Sequence, residues 1–160
     1  MAKKKQEPSD GYKVVADNRQ ARFQYEILET YEAGIALKGT EVKSIREGKV
    51  NLRDGFANVR DAEVWLHNVH ISPHSMTNQA YNHDPRRKRR LLLHKAEIRK
   101  LIGKVEEKGL TLVPLKMYLK KGYVKVSIAL GRGKKLHDKR DALKQKQAKR
   151  EIERATKGAY

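Results

Sequence analysis

The chain has 160 residues, 38% of them hydrophobic and only 6% aromatic, which suits one compact domain with a segment outside it and leaves too little for a second core. Lys and Arg number 37 against 19 Asp and Glu, a formal net charge of +18 with a pI near 10.1 and a mean hydropathy of -0.83, so the expected partner is a polyanion. No apolar run approaches the roughly 20 residues of a membrane-spanning helix, the opening Met-Ala-Lys-Lys-Lys lacks the apolar stretch of a secretory signal, and the lack of Cys removes disulfides, thiolate zinc sites and cysteine nucleophiles. A cytoplasmic protein with no membrane contact and no redox chemistry is expected.

Residues 1–16 are polar, carry Pro8, Ser9 and Gly11 and show no sustained period, so they read as a mobile arm, with the folded body running over 17–131. Over 23–37, Phe23, Tyr25 and Ile27 alternate with polar residues until Ala33 and Gly34 interrupt, which predicts a strand bent at a bulge. Thr40 as a cap, followed by Glu41, Val42, Ser44 and Ile45, predicts a short helix that ends near Gly48. Two hairpins follow from β-branched and aromatic runs, one with 60–62 at its turn and a clearer one with 120–122, where Val124, Val126, Ile128 and Leu130 alternate with Lys125, Ser127 and Ala129. Between them Ile98, Leu101, Ile102 and Val105 have the spacing of an amphipathic helix stopped by Gly109.

These elements predict a mainly β fold with two or three helices, a small antiparallel barrel of about six strands of the oligonucleotide-binding type, in which closure removes exposed edges. In 132–160 the apolar Leu136, Leu143 and Ile152 are too far apart to form a buried stripe. This basic C-terminal tail is expected to be disordered when free and helical once phosphates neutralise it.

Positive charge is concentrated in two places. Residues 86–100 hold eight Lys and Arg against Glu97 alone, and residues 132–157 hold eleven against Asp138, Asp141, Glu151 and Glu153. Such clusters suit nucleic acid bound with a steep salt dependence. Catalytic readings fail by comparison. His67 and His70 sit at odd spacing and face opposite sides of a strand while His74 lies beyond Pro73, so they do not share a metal. His83-Asp84 and His137-Asp138 lack the carboxylate cluster of a metal-dependent nuclease. Residues 131–135, Gly-Arg-Gly-Lys-Lys, lack the Ser or Thr and the spaced Gly of a phosphate loop. No enzyme activity, metal or cofactor is expected. Recognition remains. Leu91, Leu92 and Leu93 follow the arginines directly and read first as core, with an apolar platform for an unstacked base as the other reading. Tyr123, Trp65 and Phe56 are assigned to barrel packing, and His137, alone among tail cations, to stacking on a base.

Several of these words in this order resemble the small protein B (SmpB) family of bacterial trans-translation: Tyr31-Glu32-Ala33-Gly34, Gly39-Thr40-Glu41-Val42-Lys43-Ser44, Gly48-Lys49, Asn51-Leu52, His83-Asp84-Pro85-Arg86-Arg87 through Leu91-Leu92-Leu93-His94, and Gly133-Lys134-Lys135-Leu136-His137-Asp138-Lys139-Arg140. The resemblance implies a protein that binds the transfer-RNA-like part of transfer-messenger RNA (tmRNA), imitates its missing anticodon arm, and accompanies it to stalled ribosomes with elongation factor Tu and GTP. Alanyl-tRNA synthetase is reached only through the RNA. It also implies a monomer bound one-to-one to tmRNA, whose tail enters the decoding centre and the empty message channel.

By the same resemblance tmRNA is met by Asn18, Glu32, Gly39, Thr40, Glu41, Lys43, Arg46, Lys49, Asn51, Arg86, Arg87, Arg90, Leu92 and His94. The cations among them would hold phosphates, and Glu32 would accept from a base, a ribose hydroxyl or a neighbouring Arg. Lys134, Lys135, His137, Asp138, Lys139, Arg140, Lys144, Lys149 and Arg150 would meet the ribosome. The chain departs from the family pattern at Ala148, where an aromatic is expected, and at Phe56, where Tyr is frequent. The alternative is a ribosomal or general RNA-binding protein.

Overall fold

The computed structural model describes residues 11–134 and 136–158, with 107, 108 and 136–138 described by backbone only. Its elements are β1 (Lys13–Asp17), α1 (Arg19–Gln24), β2 (Tyr25–Ile35), α2 (Gly39–Arg46), β3 (Val50–Asn51), β4 (Phe56–Arg60), β5 (Glu63–His67), β6 (His70–Ile71), a 3-10 turn (Gln79–Tyr81), β7 (Arg89–Leu92), α3 (Lys95–Lys108), β8 (Thr111–Lys120), β9 (Tyr123–Gly133) and α4 (Leu136–Lys157).

Six antiparallel strands form a ring in the order β8, β4, β5, β7, β2, β9 and back to β8, and β1 is added outside the ring on β8. The ring has two short joints, Ala57 with Leu112 between β4 and β8, and Gly34 with Leu92 and Ile35 with Leu91 between β2 and β7. Both hairpins form as the sequence predicts. Their two-residue turns, Asp61-Ala62 and Lys121-Gly122, all have positive φ, the mirror-image turn whose twist matches paired strands.

Inward-facing residues of the ring, Ala33, Val64, Leu66, Leu91, Leu112, Met117, Val126, Ile128 and Leu130, make the core together with Ile45 of α2 and Leu101 of α3. A smaller cluster lies outside the ring, where Ala21 of α1 covers Val113, Leu115 and Ala129. This second layer explains why residues 112–115 read as an unbroken apolar run: they are buried on both faces.

Four expectations need correction. The arm expected over residues 1–16 does not include 13–16, because Lys13–Asp17 pairs with Lys116 to Leu119 and packs Val15 and Ala16 on the core; residues 1–10 lie outside the described ones. The strand expected from Phe23 starts at Tyr25 because Asn18 caps α1, its Oδ1 accepting from the Ala21 N–H at 3.2 Å. The ladder irregularity falls between Ile27 and Glu29, while Ala33 and Gly34 stay in register. Gly34 serves a close approach, since a Cβ there would stand 3.2 Å from Leu92 Cβ. Finally, α2 is capped through Lys38, whose N–H donates to Glu41 at 2.9 Å, leaving Thr40 free for His83.

The tail, expected to be unordered in the free chain, is the 22-residue helix α4. Its Lys, Arg, Gln, Ala and Glu content is strongly helix-forming. Among its described side chains no apolar stripe is buried, since Leu143 and Ile152 are 53% and 67% exposed. Lys134 ties its start to the body, donating its backbone N–H to Gln24 O at 2.9 Å.

Candidate nucleic-acid interface

Strand parity decides which basic residues reach solvent. On β7, Arg89 and Leu91 point into the ring and are buried, so Arg90 and Leu92 point out. Pairing then lines up outward neighbours: Leu92 opposite Gly34, Gly34 opposite Lys125, and Lys125 opposite Tyr118. Leu92, 48% exposed, shares a cleft of about 300 Å³ with Leu37, Val42, Tyr123, Val124 and Lys125. Of its two readings the platform is therefore the one the fold presents, with Leu91 as the core leucine. Tyr123, 73% exposed, is not packing residue but rim. Its hairpin turn carries it beyond the core.

Glu32 stands next to this cleft on β2. One carboxylate oxygen accepts from the Tyr118 hydroxyl, and Lys120 Nζ lies 3.4 Å from the other. The Tyr118 hydrogen bond, with Lys120 adding to it against the effect of burial, holds the Glu32 carboxyl below the usual range. The Tyr118 phenol is pushed up in turn by burial and by Glu32. Tyr12 packs on Tyr118 with ring centroids 4.9 Å apart, and Lys116 Nζ donates to the Tyr12 hydroxyl at 2.8 Å. Glu32 thus faces a tyrosine and a lysine rather than an arginine, in one ordered anionic position amid cations.

A second group of cations surrounds α2. Lys43, Arg46 and Lys49 are exposed, Lys49 at 3.1 Å from Glu47, and Gly39 is exposed at the start of the helix. Asn51 is exposed and accepts from the Arg53 N–H at 2.9 Å. Arg86 is exposed, with Nη1 2.6 Å from Asn68 Oδ1. Arg90 pairs with Glu63 at 3.3 Å, and His94 is exposed at the N-cap of α3.

Three predicted contact residues are structural instead. Glu41 is fully buried and accepts from Arg87 at 2.5 Å, from Arg89, and from the Lys38 N–H. Burial works to raise its pKa, but these donors outweigh burial and hold the carboxyl below the usual range. Arg87 reaches this carboxylate from a half-buried position. Asn18 is also buried. Besides capping α1, its Nδ2 donates to Leu52 O at 3.2 Å and Pro114 O at 2.9 Å, and its backbone N–H donates to Leu115 O at 2.7 Å. It bridges the stretch of β8 between the β4 and β1 pairings.

Arg89 is the residue that sequence reasoning missed here. It is buried, with Nη1 donating to Val69 O at 2.8 Å and Nη2 to Pro85 O at 3.1 Å, and it pins the basic loop 84–88 to the sheet. The alternation Arg89-Arg90-Leu91-Leu92 carried the signal. His83 does similar work, its ring nitrogens 2.9 Å from Thr40 Oγ1 and 2.9 Å from Ile71 O. In the tail, Arg140, Lys144, Lys149 and Arg150 are exposed and Lys139 and Lys134 half-buried along or just before α4. Lys135 lies outside the described residues, as do the side chains of His137 and Asp138 with the stacking and turn-ordering roles expected of them.

A ring of strands with basic, partly apolar outer faces and a projecting basic helix defines a protein built to meet nucleic acid. The family described as SmpB protein matches residues 15–158. Relatives described as SsrA-binding protein include one from Thermosynechococcus vestitus, 74% identical over 148 residues and covering 92% of this chain and 97% of its own. Another, from Synechococcus elongatus, is 71% identical over 151 residues, covering 94% and 98%. A solved chain described as "tmRNA-SmpB: a journey to the center of the bacterial ribosome" is similar at a TM-score of 0.64 and 61% identity, covering 76% of this chain and 85% of that one. This chain belongs to the SmpB family.

Proposed function

We propose that the protein binds the transfer-RNA-like part of tmRNA and brings it to stalled ribosomes for trans-translation, standing in for an anticodon arm. The observation that carries this reading is the placement of Leu92: a large apolar side chain held outward in a cleft beside Glu32, Lys125 and Tyr123, with phosphate-binding cations on both flanks. That is the chemistry of a splayed RNA base set between backbone contacts. In this reading Lys43, Arg46, Lys49, Arg86 and Arg90 hold phosphates, and Gly39, Thr40, Asn51 and His94 line the approach. Glu32 accepts from a base or ribose through the oxygen that Tyr118 leaves available. The body expected to end at residue 131 runs to Gly133, where β9 still pairs with Tyr25 of β2. The tail beyond β9 meets ribosomal RNA at the decoding centre and message channel through Lys134, Lys135, His137, Asp138, Lys139, Arg140, Lys144, Lys149 and Arg150.

The protein acts as a one-to-one adaptor in the cytoplasm, without chemistry of its own, and elongation factor Tu with GTP and alanyl-tRNA synthetase act on the RNA it holds. Among the described residues no helix is long and apolar enough to cross a membrane. The test is binding of the full chain to the transfer-RNA-like domain of tmRNA beside an elongator transfer RNA, both near 150 mM salt, where non-specific contacts weaken. Strong preference for the tmRNA domain is expected. Equal, steeply salt-dependent binding to both would reduce the protein to a general RNA-binding ring.

A further inference from the structure

The outer face of β4 and β5 carries residues that this reading leaves unused, and it borders β7 at Arg90. Cross-strand pairing sets Phe56 beside His67, Asn58 beside Trp65, and Trp65 beside Arg90. The Phe56 and His67 rings lie stacked, centroids 5.0 Å apart and 9° from parallel, and His67 Nε2 is fixed 2.8 Å from Asn58 Oδ1. Phe56 remains 42% exposed and Trp65 is only half-buried, so neither is the packing residue that the sequence suggests. Outward parity on a closed ring keeps them from the core. Beside His67 opens a cleft of about 230 Å³ lined by Trp65, Asn58, Arg60, Asp61, Glu63 and Lys88.

Three properties of the cleft point to one occupant. Exposed aromatic rings on the strands of such a ring offer stacking surface, which folded proteins otherwise cover. Burial and the neighbouring Lys88 hold the His67 pKa below its ordinary value, so the ring is neutral and free of charge repulsion at neutral pH. Arg60 and Lys88 have no ion-pair partner among the described residues, Glu63 of the same lining is paired with Arg90 at 3.3 Å, and the other carboxylate, Asp61, would repel an acidic peptide but accepts hydrogens from an amino group.

We propose that this cleft holds an unpaired RNA base bearing an exocyclic amino group, stacked on the Trp65 and His67 rings, with its flanking phosphates on Lys88 and Arg60. The site does not rest on the tmRNA reading, because it uses a different sector of the ring from Leu92. It gives the protein a second grip on RNA, so that two RNA segments can be held at a fixed separation by one rigid body.

Trp65 is the one tryptophan in the chain and reports directly on the cleft. Titration of the full chain with short oligocytidylate near 150 mM salt is expected to quench its emission saturably, at least about tenfold more tightly than oligouridylate, which lacks the amine. His67→Ala and Lys88→Ala are each expected to weaken this by about fivefold or more with unchanged melting, while Leu92→Ser leaves it intact. Any of three results would overturn the proposal: no quenching by either oligonucleotide, quenching indifferent to both cleft variants, or equal quenching by oligoglutamate. The tmRNA reading is judged separately, by the transfer-RNA-like domain and Leu92.

Discussion

Replacing Glu41 by alanine removes the carboxylate that faces Arg89 and Arg87, and leaves the Arg89 guanidinium fully buried with only backbone carbonyls around it. Breaking a buried pair by removing one partner costs about 3–5 kcal/mol, a large share of the ~5–15 kcal/mol that holds a domain of this size. In a chain of this length it should lower the melting temperature by about 6–20 °C. Thermal and urea unfolding followed by Trp65 emission would read both quantities. The double variant Glu41→Leu with Arg89→Met, which replaces the pair by apolar volume, should recover most of the loss. The pH dependence has a definite sign. Because the folded-state pKa of Glu41 lies below its unfolded value, its contribution is fully present above pH ~4.5 and is lost as pH falls through the folded pKa, so the gap between wild type and Glu41→Ala should close in acid. A cost under about 1 kcal/mol at pH 7, or a gap as wide at pH 3 as at pH 7, would refute the argument that this pair locks the basic loop to α2.

Asn18→Ala should cost about 2–4 kcal/mol, from a lost helix cap of ~1 and the buried donor lost to Pro114 O, while Leu52 O keeps the Gly55 N–H at 2.9 Å; Asn18→Asp keeps the cap but not the donors and should recover less than half in urea unfolding. Leu92→Ala, made at an exposed position, should change stability by less than about 1 kcal/mol while weakening binding to the transfer-RNA-like domain severalfold in a filter or gel assay. Truncation after Lys134, which spares the pairing of β9 with β2 out to Gly133, should preserve affinity for that domain and abolish tagging of proteins on stalled ribosomes. Loss of affinity would place the RNA site in the tail. Circular dichroism of a peptide spanning 131–160 should show clear helicity without RNA, because its composition favours helix over most of α4; an unordered spectrum at every salt concentration would contradict this.

What the sequence made legible was whatever depended on local period and turn chemistry. The hairpin around Lys121-Gly122 and helix α3 with its Gly109 stop could be read because alternation and the 3.6 spacing are properties of neighbouring residues. Strands β1 and β7 could not, for each is short and mixed in polarity, and each exists because a distant strand offers an edge. The same distinction divides the site. Lys43, Arg46, Lys49 and Arg90 are exposed as a basic surface should be, but Glu41, Arg87 and Asn18 belong to the fold's internal wiring. A motif shared with a family marks structural residues as readily as contacts, and only burial separates the two. Phe56, Trp65 and Tyr123 were misassigned for the converse reason: aromatic residues suggest a core, whereas strand parity and hairpin turns put these three outside.

The lodging of β1 on β8 has a consequence for solubility. A closed ring presents no open sheet edge, but β8 is longer than the joint that seals it, and Lys116 to Leu119 would be bare without β1. Pro114, with no N–H to donate, and Asn18 beside it mark where one neighbour hands over to the next. Strand β1 thus acts as a guard strand. A protein beginning after Asp17 would offer one open edge of these four residues, still paired with β9 on their other side, to any other chain, and its failure would show first as association that grows with concentration rather than as lost RNA binding.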